Sequence, residues 1–378
     1  MTAVVAILGA SGEIGREVAL RVARRDGIRL RLGARRASAL ADAATESGLT
    51  AEIRTTDIWD DASLRAFCAG ADVVVSCAGP TYRVQGRAAL AALRAGADYV
   101  DVGGDDPARE QIESSGLAHA GRALLSAGTV PGLSALLPRW LVERTGTRTR
   151  MTAWAGGMER CSRTVAQDML LSLSSGGPNG KAYGTALAAW RGGRAEPRAH
   201  AVREGVRLPG FPGEVVLQPF LSAEAERVAR RTRLLDLDWW NVWPTGQVWS
   251  LLARLPAVLS DPSLPTDEVV ERMREASAVD LVGRAPWYRL RMHGVGDGGE
   301  AGIALSGDSS AVLTATMAAQ TVFHLLDEER GEPGARFAAD VVDADRVLDA
   351  LGDEPRVRVE LDGVVDGAVE GAVEEGEL

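Results

Sequence analysis

Three glycines spaced by three, in Gly9-Ala10-Ser11-Gly12-Glu13-Ile14-Gly15, lie between the apolar run AVVAIL and a helical pattern over Arg16–Arg25. A glycine turn between a buried strand and a helix can bind a diphosphate, because the first helical amides point at the anion. Gly9 is expected to permit the tight turn, Gly12 to let backbone approach a pyrophosphate, and Gly15 to let helix pack on strand. Ala10, Ser11, Glu13 and Ile14 complete that loop. The spacing GxxGxxG is a variant of the commoner GxGxxG. Arg35, 20 residues beyond Gly15, and its neighbour Arg36 stand where an NAD-binding chain carries an acid for the ribose hydroxyls. No carboxylate lies between Gly27 and Ala41. Arginine there suits a 2′-phosphate, so NADPH is the expected cofactor. Asp57 is a weaker candidate, for the adenine edge.

Two further clusters follow predicted strands. They are Ser76-Cys77-Ala78-Gly79-Pro80-Thr81-Tyr82 and Tyr99-Val100-Asp101-Val102-Gly103-Gly104-Asp105. Ligands of open parallel sheets bind at the carboxyl ends of strands, so Cys77, Ala78, Gly79 and Pro80 should pass the nicotinamide side. Tyr82 could donate a proton there, and Asp101 could bind or protonate a nitrogen; both are taken as candidate catalytic residues. Other chemistries are excluded. The four tyrosines Tyr82, Tyr99, Tyr183 and Tyr288 are followed four residues later by Gly86, Gly103, Leu187 and Met292, so a YxxxK pair is absent. A phosphate loop around the single lysine, Lys181, fails at Ser175 and Ala182. No GxSxG or HExxH occurs, and Cys68, Cys77 and Cys161 with four scattered histidines offer no metal site or disulfide framework.

The elements that must hold these residues read as an alternation. Buried strands are expected at 3–8, 28–33, 51–55, 71–77, 99–102 and 122–126, with helices between them, including Leu40–Ser47, Arg87–Ala95 and Ala108–Ala120. That predicts an α/β chain with an N-terminal Rossmann, doubly wound parallel sheet. After Pro131-Gly132 the texture changes. Strand-like stretches at Thr147–Ala155, Val215–Gln218, Leu234–Trp239 and Trp287–His293 predict a second α+β domain with a mixed sheet. The expected division is 1–130 for the dinucleotide and 131–330 for substrate and dimerisation. A segment at about 331–352 would pack back on the first domain, and 362–378 reads as a flexible acidic tail. Seven of nine tryptophans fall in the second half, as core or interface anchors or as walls for a flat substrate. Ser309–Arg330 reads as one long apolar helix.

The chain has 378 residues, enough for about two domains, and 46% hydrophobic residues, enough for a core. Its net charge of −10 argues against non-specific nucleic-acid binding. No apolar run reaches the ~18 residues of a membrane span. The N-terminus does not read as a signal peptide, and the cysteine usage favours the cytoplasm.

The motifs VVAILGASGEIGREVALRVAR and VVSCAGPTYRVQGRAALAALRAGADYVDVGGDDP, and more loosely AGTVPGLSALLP, resemble the saccharopine dehydrogenase-like reductases. The resemblance covers about residues 3–140. It implies a Rossmann domain, a second domain often used in homodimers, and hydride delivery to a C=N bond of a small-molecule substrate, an imine and possibly heterocyclic one from amino-acid-derived or specialised metabolism. Alternatives are reduction of an enoyl C=C bond, or a non-catalytic NADP-binding or redox-sensing protein.

Overall fold

The computed structural model describes residues 2–46, 48–146, 148–173, 182–258, 266–297, 299–328 and 331–363. Lys181 and the acidic stretch from residue 364 onward lie outside the described residues. The chain begins with β1 (Ala3–Leu8), α1 (Glu13–Val22), β2 (Ile28–Ala34), α2 (Ala37–Glu46), β3 (Ala51–Thr55) and α3 (Asp61–Cys68). It continues with β4 (Val73–Ser76), the single turn α4 (Thr81–Val84), α5 (Arg87–Arg94), β5 (Asp98–Asp101), α6 (Asp106–Ser114) and β6 (Arg122–Leu125). Val4 to Leu8 are all buried, as in a strand covered on both faces. α3 starts where the Asp60 carboxylate accepts the amides of Ala62 at 2.8 Å and Ser63 at 3.2 Å.

The chain then forms α7 (Leu133–Thr145), β7 (Arg150–Met158), α8 (Arg163–Leu173), β8 (Gly184–Ala186), β9 (Ala189–Arg191), β10 (Arg194–Glu196) and β11 (Arg203–Val206). Next come β12 (Val215–Ser222), α9 (Ala223–Thr232), β13 (Asp236–Pro244), α10 (Gln247–Val258), α11 (Thr266–Asp280), β14 (Trp287–Gly296) and β15 (Gly299–Gly307). The last elements are α12 (Ser310–Asp327), β16 (Gly334–Phe337), α13 (Ala338–Val341), α14 (Ala344–Gly352) and β17 (Val357–Gly363).

One sheet is wholly parallel, with strand order β16-β6-β5-β4-β1-β2-β3. The strand order reverses direction beside β1, which makes the crevice at the carboxyl ends of β1 and β4. The other sheet has ten strands along β10-β9-β13-β7-β14-β15-β17, with β12 also on β13 and carrying β8 and β11. It is mixed, since β7 and β13 run parallel and their other neighbours antiparallel. The expected fold class is therefore the observed one. β15 is not legible as a strand in the sequence, because small residues and glycines blur any alternation in GEAGIALSG, whereas β17, VRVELDG, alternates and adds a strand to the expected set. The expected helix over Ala108–Ala120 is two pieces. α6 stops at Ser114, Gly116 turns at φ +75°, and a 3-10 turn covers Ala118–Ala120.

α12 runs along α1, and its buried side chains join β1 and β14–β15 residues in one apolar cluster. Its start is capped by the Ser309 hydroxyl, which accepts the Ala311 amide at 3.1 Å. None of the described helices is long and apolar enough to cross a membrane. A buried cation ties this layer together. Arg21 of α1 donates to the Thr316 hydroxyl of α12 at 3.0 Å, to Glu354 beyond α14 at 2.6 Å, and to Glu17.

Removing one partner of a buried pair strands the other charge. Glu354→Leu is expected to destabilise the protein by about 3 kcal/mol in urea unfolding. Adding Arg21→Met should recover most of that loss. A double variant as unstable as the single one would show that Glu354 acts through packing instead.

Candidate active site between the two sheets

The glycine turn leaves β1 with Gly9 at φ +75°, and the Gly9 amide donates to Gly33 O at 2.9 Å. A β-carbon on Gly9 would sit 2.8 Å from Cys77 O, and one on Gly15 would sit 2.3 Å from Gly9 O. Both contacts are with backbone, so neither can yield cheaply. Gly12 differs. A β-carbon there meets only Gly9 O at 3.3 Å and otherwise points into open space. Gly12 is the N-cap of α1 and provides no side-chain cap, so the first amides of α1 are left for an anion. Ala10 is buried beneath the turn, while Ser11 and Glu13 are exposed. Glu13 is turned toward α12, where it accepts the Ser309 hydroxyl at 2.9 Å. Arg35 and Arg36 are exposed directly after β2, and neither has an acid partner among the described residues. The turn and these free guanidinium groups fit the diphosphate and a ribose phosphate of a dinucleotide. Asp57 accepts the Trp59 amide at 2.9 Å, so one of its oxygens already shapes a turn.

The loops after β4 and β5 face the second sheet across a cavity of ≈ 420 Å³. Cys77, Ala78 and Gly79 line it beside Ile14 of α1, while Pro80 is buried and caps α4. Burial, with the nearby Asp101 charge, pushes the Cys77 thiol well up, so it is a neutral wall group. Tyr82 and Asp101, the two proton donors expected from sequence, are not wall residues of this cavity. Asp101 turns inward. Its Oδ2 accepts the Tyr99 hydroxyl at 2.7 Å, and its Oδ1 accepts the amides of Gly103 and Gly104, each at 2.9 Å. It ties down its own loop. At α4 it is Thr81, not Tyr82, that reaches the cavity. The tryptophans are also mostly elsewhere. Trp190, Trp239, Trp240 and Trp287 are core, and of all nine Trp243 alone reaches the wall.

Five carboxylates that sequence reading did not single out surround the cavity: Asp105, Glu159, Asp168, Glu224 and Asp280. Each has a partner, and that of Asp168 is the Thr81 amide. Asp105 faces Arg227 at 3.2 Å, and Glu159 accepts the Ser310 amide at 2.8 Å and its hydroxyl at 2.6 Å. Glu224 accepts the Gly132 amide at 2.9 Å and the Ser134 hydroxyl, and so holds the start of α7. Asp280 accepts the amides of Gln247 and Val248 at 2.7 and 2.9 Å. Burial above all, reinforced by Asp105, pushes Glu224 up to about 7. Burial likewise pushes Asp168 up to about 7. Arg160, largely exposed, is the one guanidinium on the wall among the described residues. The cavity thus has an excess of acidic over basic side chains within mostly apolar walls.

Two outcomes follow from this geometry. Gly12→Ala should keep the wild-type melting temperature yet weaken dinucleotide binding at least about tenfold, or ~1.4 kcal/mol. Gly15→Ala should instead lose ~1–3 kcal/mol of stability from overpacking. Titration and thermal melts of both variants check this. The second outcome is a pH effect. Glu224 keeps its proton to higher pH folded than unfolded. Its contribution is therefore complete below the ordinary carboxyl range and is lost as pH rises through about 7. Stability should fall between about pH 5 and pH 8, and Glu224→Gln should flatten that decline in urea midpoints.

Residues 5–124 match the family described as saccharopine dehydrogenase NADP binding domain. No curated protein sequence matches the chain. Among solved structures, saccharopine dehydrogenase (L-Glu forming) from Saccharomyces cerevisiae is similar over 96% of this chain and 100% of that one. Its TM-score is 0.67 at 16% identity, a likeness of fold. A myo-inositol dehydrogenase from Corynebacterium glutamicum aligns over 95% of this chain and 99% of that one at TM-score 0.47 and 11% identity, too low to carry an argument. The glycine turn and the free arginines lie in the matched segment. Residues 5–124 thus match the saccharopine dehydrogenase NADP binding domain, within a chain whose fold is similar to that of the yeast saccharopine dehydrogenase.

Proposed function

We propose that the protein is an NADPH-dependent reductase that delivers hydride to the C=N carbon of an imine. The observation that carries this reading is the charge of the cavity beside the Cys77–Gly79 loop. Five carboxylates face it, against one largely exposed guanidinium among the described residues. Acids in a mostly apolar enclosure, ionised or able to ionise, favour a cation that forms as the reaction proceeds, as an iminium does. A dicarboxylate substrate would call for paired arginines on the wall. The acidic wall therefore speaks for an amine-derived, largely apolar substrate. Trp243 shares the wall with the rings of Tyr183, Phe220 and Tyr288, which leaves room for a flat heterocycle in this reading.

Each residue has a task in this reading. The Gly9–Gly15 turn holds the diphosphate, and Arg35 with Arg36 holds the 2′-phosphate. Cys77, Ala78 and Gly79 bring backbone against the nicotinamide side. Val102, Val130, Met158 and Val242 keep water from the reacting carbon. NADPH, when bound, supplies the hydride.

The test is a panel of cyclic imines and enoyl thioesters incubated with protein and NADPH. Imine turnover supports the reading, and turnover of enoyl thioesters alone overturns it. For the cofactor, a charged hydrogen bond to phosphate contributes about 1.5–3 kcal/mol, so Arg35→Ala should weaken NADPH by roughly 10–150-fold. NADH binding should stay unchanged in the same fluorescence titration. Equal losses for both would show that Arg35 does not read the 2′-phosphate.

A further inference from the structure

Hydride addition to a neutral imine carbon leaves an electron pair on nitrogen that must take up a proton. Tyr82 and Asp101 do not reach the cavity, and four of its five carboxylates are tied to amides, hydroxyls or Arg227. Asp168 keeps one oxygen free. Its carboxylate accepts the Thr81 amide, but its Oδ1 is closed off from solvent and has no hydrogen-bond partner. Asp168 is reached through α8, whose Thr164 and Asp168 share one face four residues apart. Thr164 packs on Gly79 so closely that a β-carbon there would lie 2.4 Å from its methyl. The absence of a side chain at Gly79 thus lets α8 sit directly over the loop after β4. One turn on, Asp168 is carried onto the cavity wall beside the nicotinamide-side backbone.

We propose that Asp168 is the proton donor of the reduction, handing its carboxyl proton to the substrate nitrogen. This rests on the imine-reductase reading above. The carboxyl O–H bond breaks and an N–H bond forms, leaving a carboxylate beside an iminium. The hydride supplied by the bound dinucleotide then adds to carbon, and the C=N π pair becomes the nitrogen lone pair. Amine and NADP⁺ leave, and the carboxylate regains its proton from solvent. The sum is imine, NADPH and one proton giving amine and NADP⁺. Burial holds the Asp168 proton up to about 7, so the acid form is available near neutrality and its release is not prohibitive.

The test compares wild type with Asp168→Asn on a neutral cyclic imine and on the same ring N-methylated to a permanent iminium, which needs no proton. The variant should lose ~10²–10⁴-fold in kcat on the neutral imine and keep near-wild-type turnover on the iminium. The infrared difference spectrum of wild type minus variant should show the band of one protonated carboxyl, over and above that of Glu224, with or without substrate. Equal losses on both compounds, no loss on either, or an unchanged carboxyl band overturns the role. A wild type that reduces neither compound overturns the underlying reading and this role with it, a pattern distinct from a variant-specific failure.

Discussion

The backbone crossing at Gly9 leaves no room for a β-carbon, and the geometry of the site depends on it. The end of β1, the start of α1 and the loop after β4 meet there through carbonyl and amide atoms alone. Side-chain contacts can repack, but backbone contacts of this kind hardly can. The diphosphate turn and the Cys77–Gly79 loop are therefore fixed relative to each other before any ligand arrives. A second crowded point lies at the start of α7, where a β-carbon on Gly132 would be 2.2 Å from Gly128 O.

Electrostatics divide the molecule. Many arginines outside the cavity are paired with acids, as Arg122 is with Asp98 and Arg356 with Asp308. Within the cavity Asp105 faces Arg227, and the other carboxylates are held by amides and hydroxyls. A carboxyl in that setting resists ionisation, because desolvation outweighs the hydrogen bonds it accepts. At Glu224 and Asp168 a bound cation would favour the ionised form, so these acids respond to a cation more than fixed ion pairs could.

What was legible in the sequence follows from how contiguous each determinant is. The diphosphate turn is a run of seven residues, and its spacing alone carries its meaning. Arg35 could be placed by counting along one βαβ unit. The fold class followed from the strand and helix alternation, although β15 was lost in glycine-rich composition. The proton donor was not legible. A position at a strand end says that a residue is near the cofactor edge, but not which way it faces, and Asp101 faces back to Tyr99 and two amides. Asp168 shows nothing in RTVAQDMLLSL except one acid in a mostly apolar helix. Its meaning depends on Gly79, far away in the chain.

The chain passes between the sheets more than once. After β15 it returns along α12 to cover the first sheet, adds β16 beside β6, and goes back through α14 to place β17 on β15. The dinucleotide-binding half is therefore not a cassette. A fragment ending near residue 130 would keep every residue of the glycine turn but lack the strand that shields β6 and the helix that covers α1. It would present a bare sheet edge and an oily flank, the combination that drives strand-to-strand association of unlike molecules. Recombination between relatives with different substrate halves would have to exchange both the middle and the end of the chain in step. Drift in one half is thus constrained by the other.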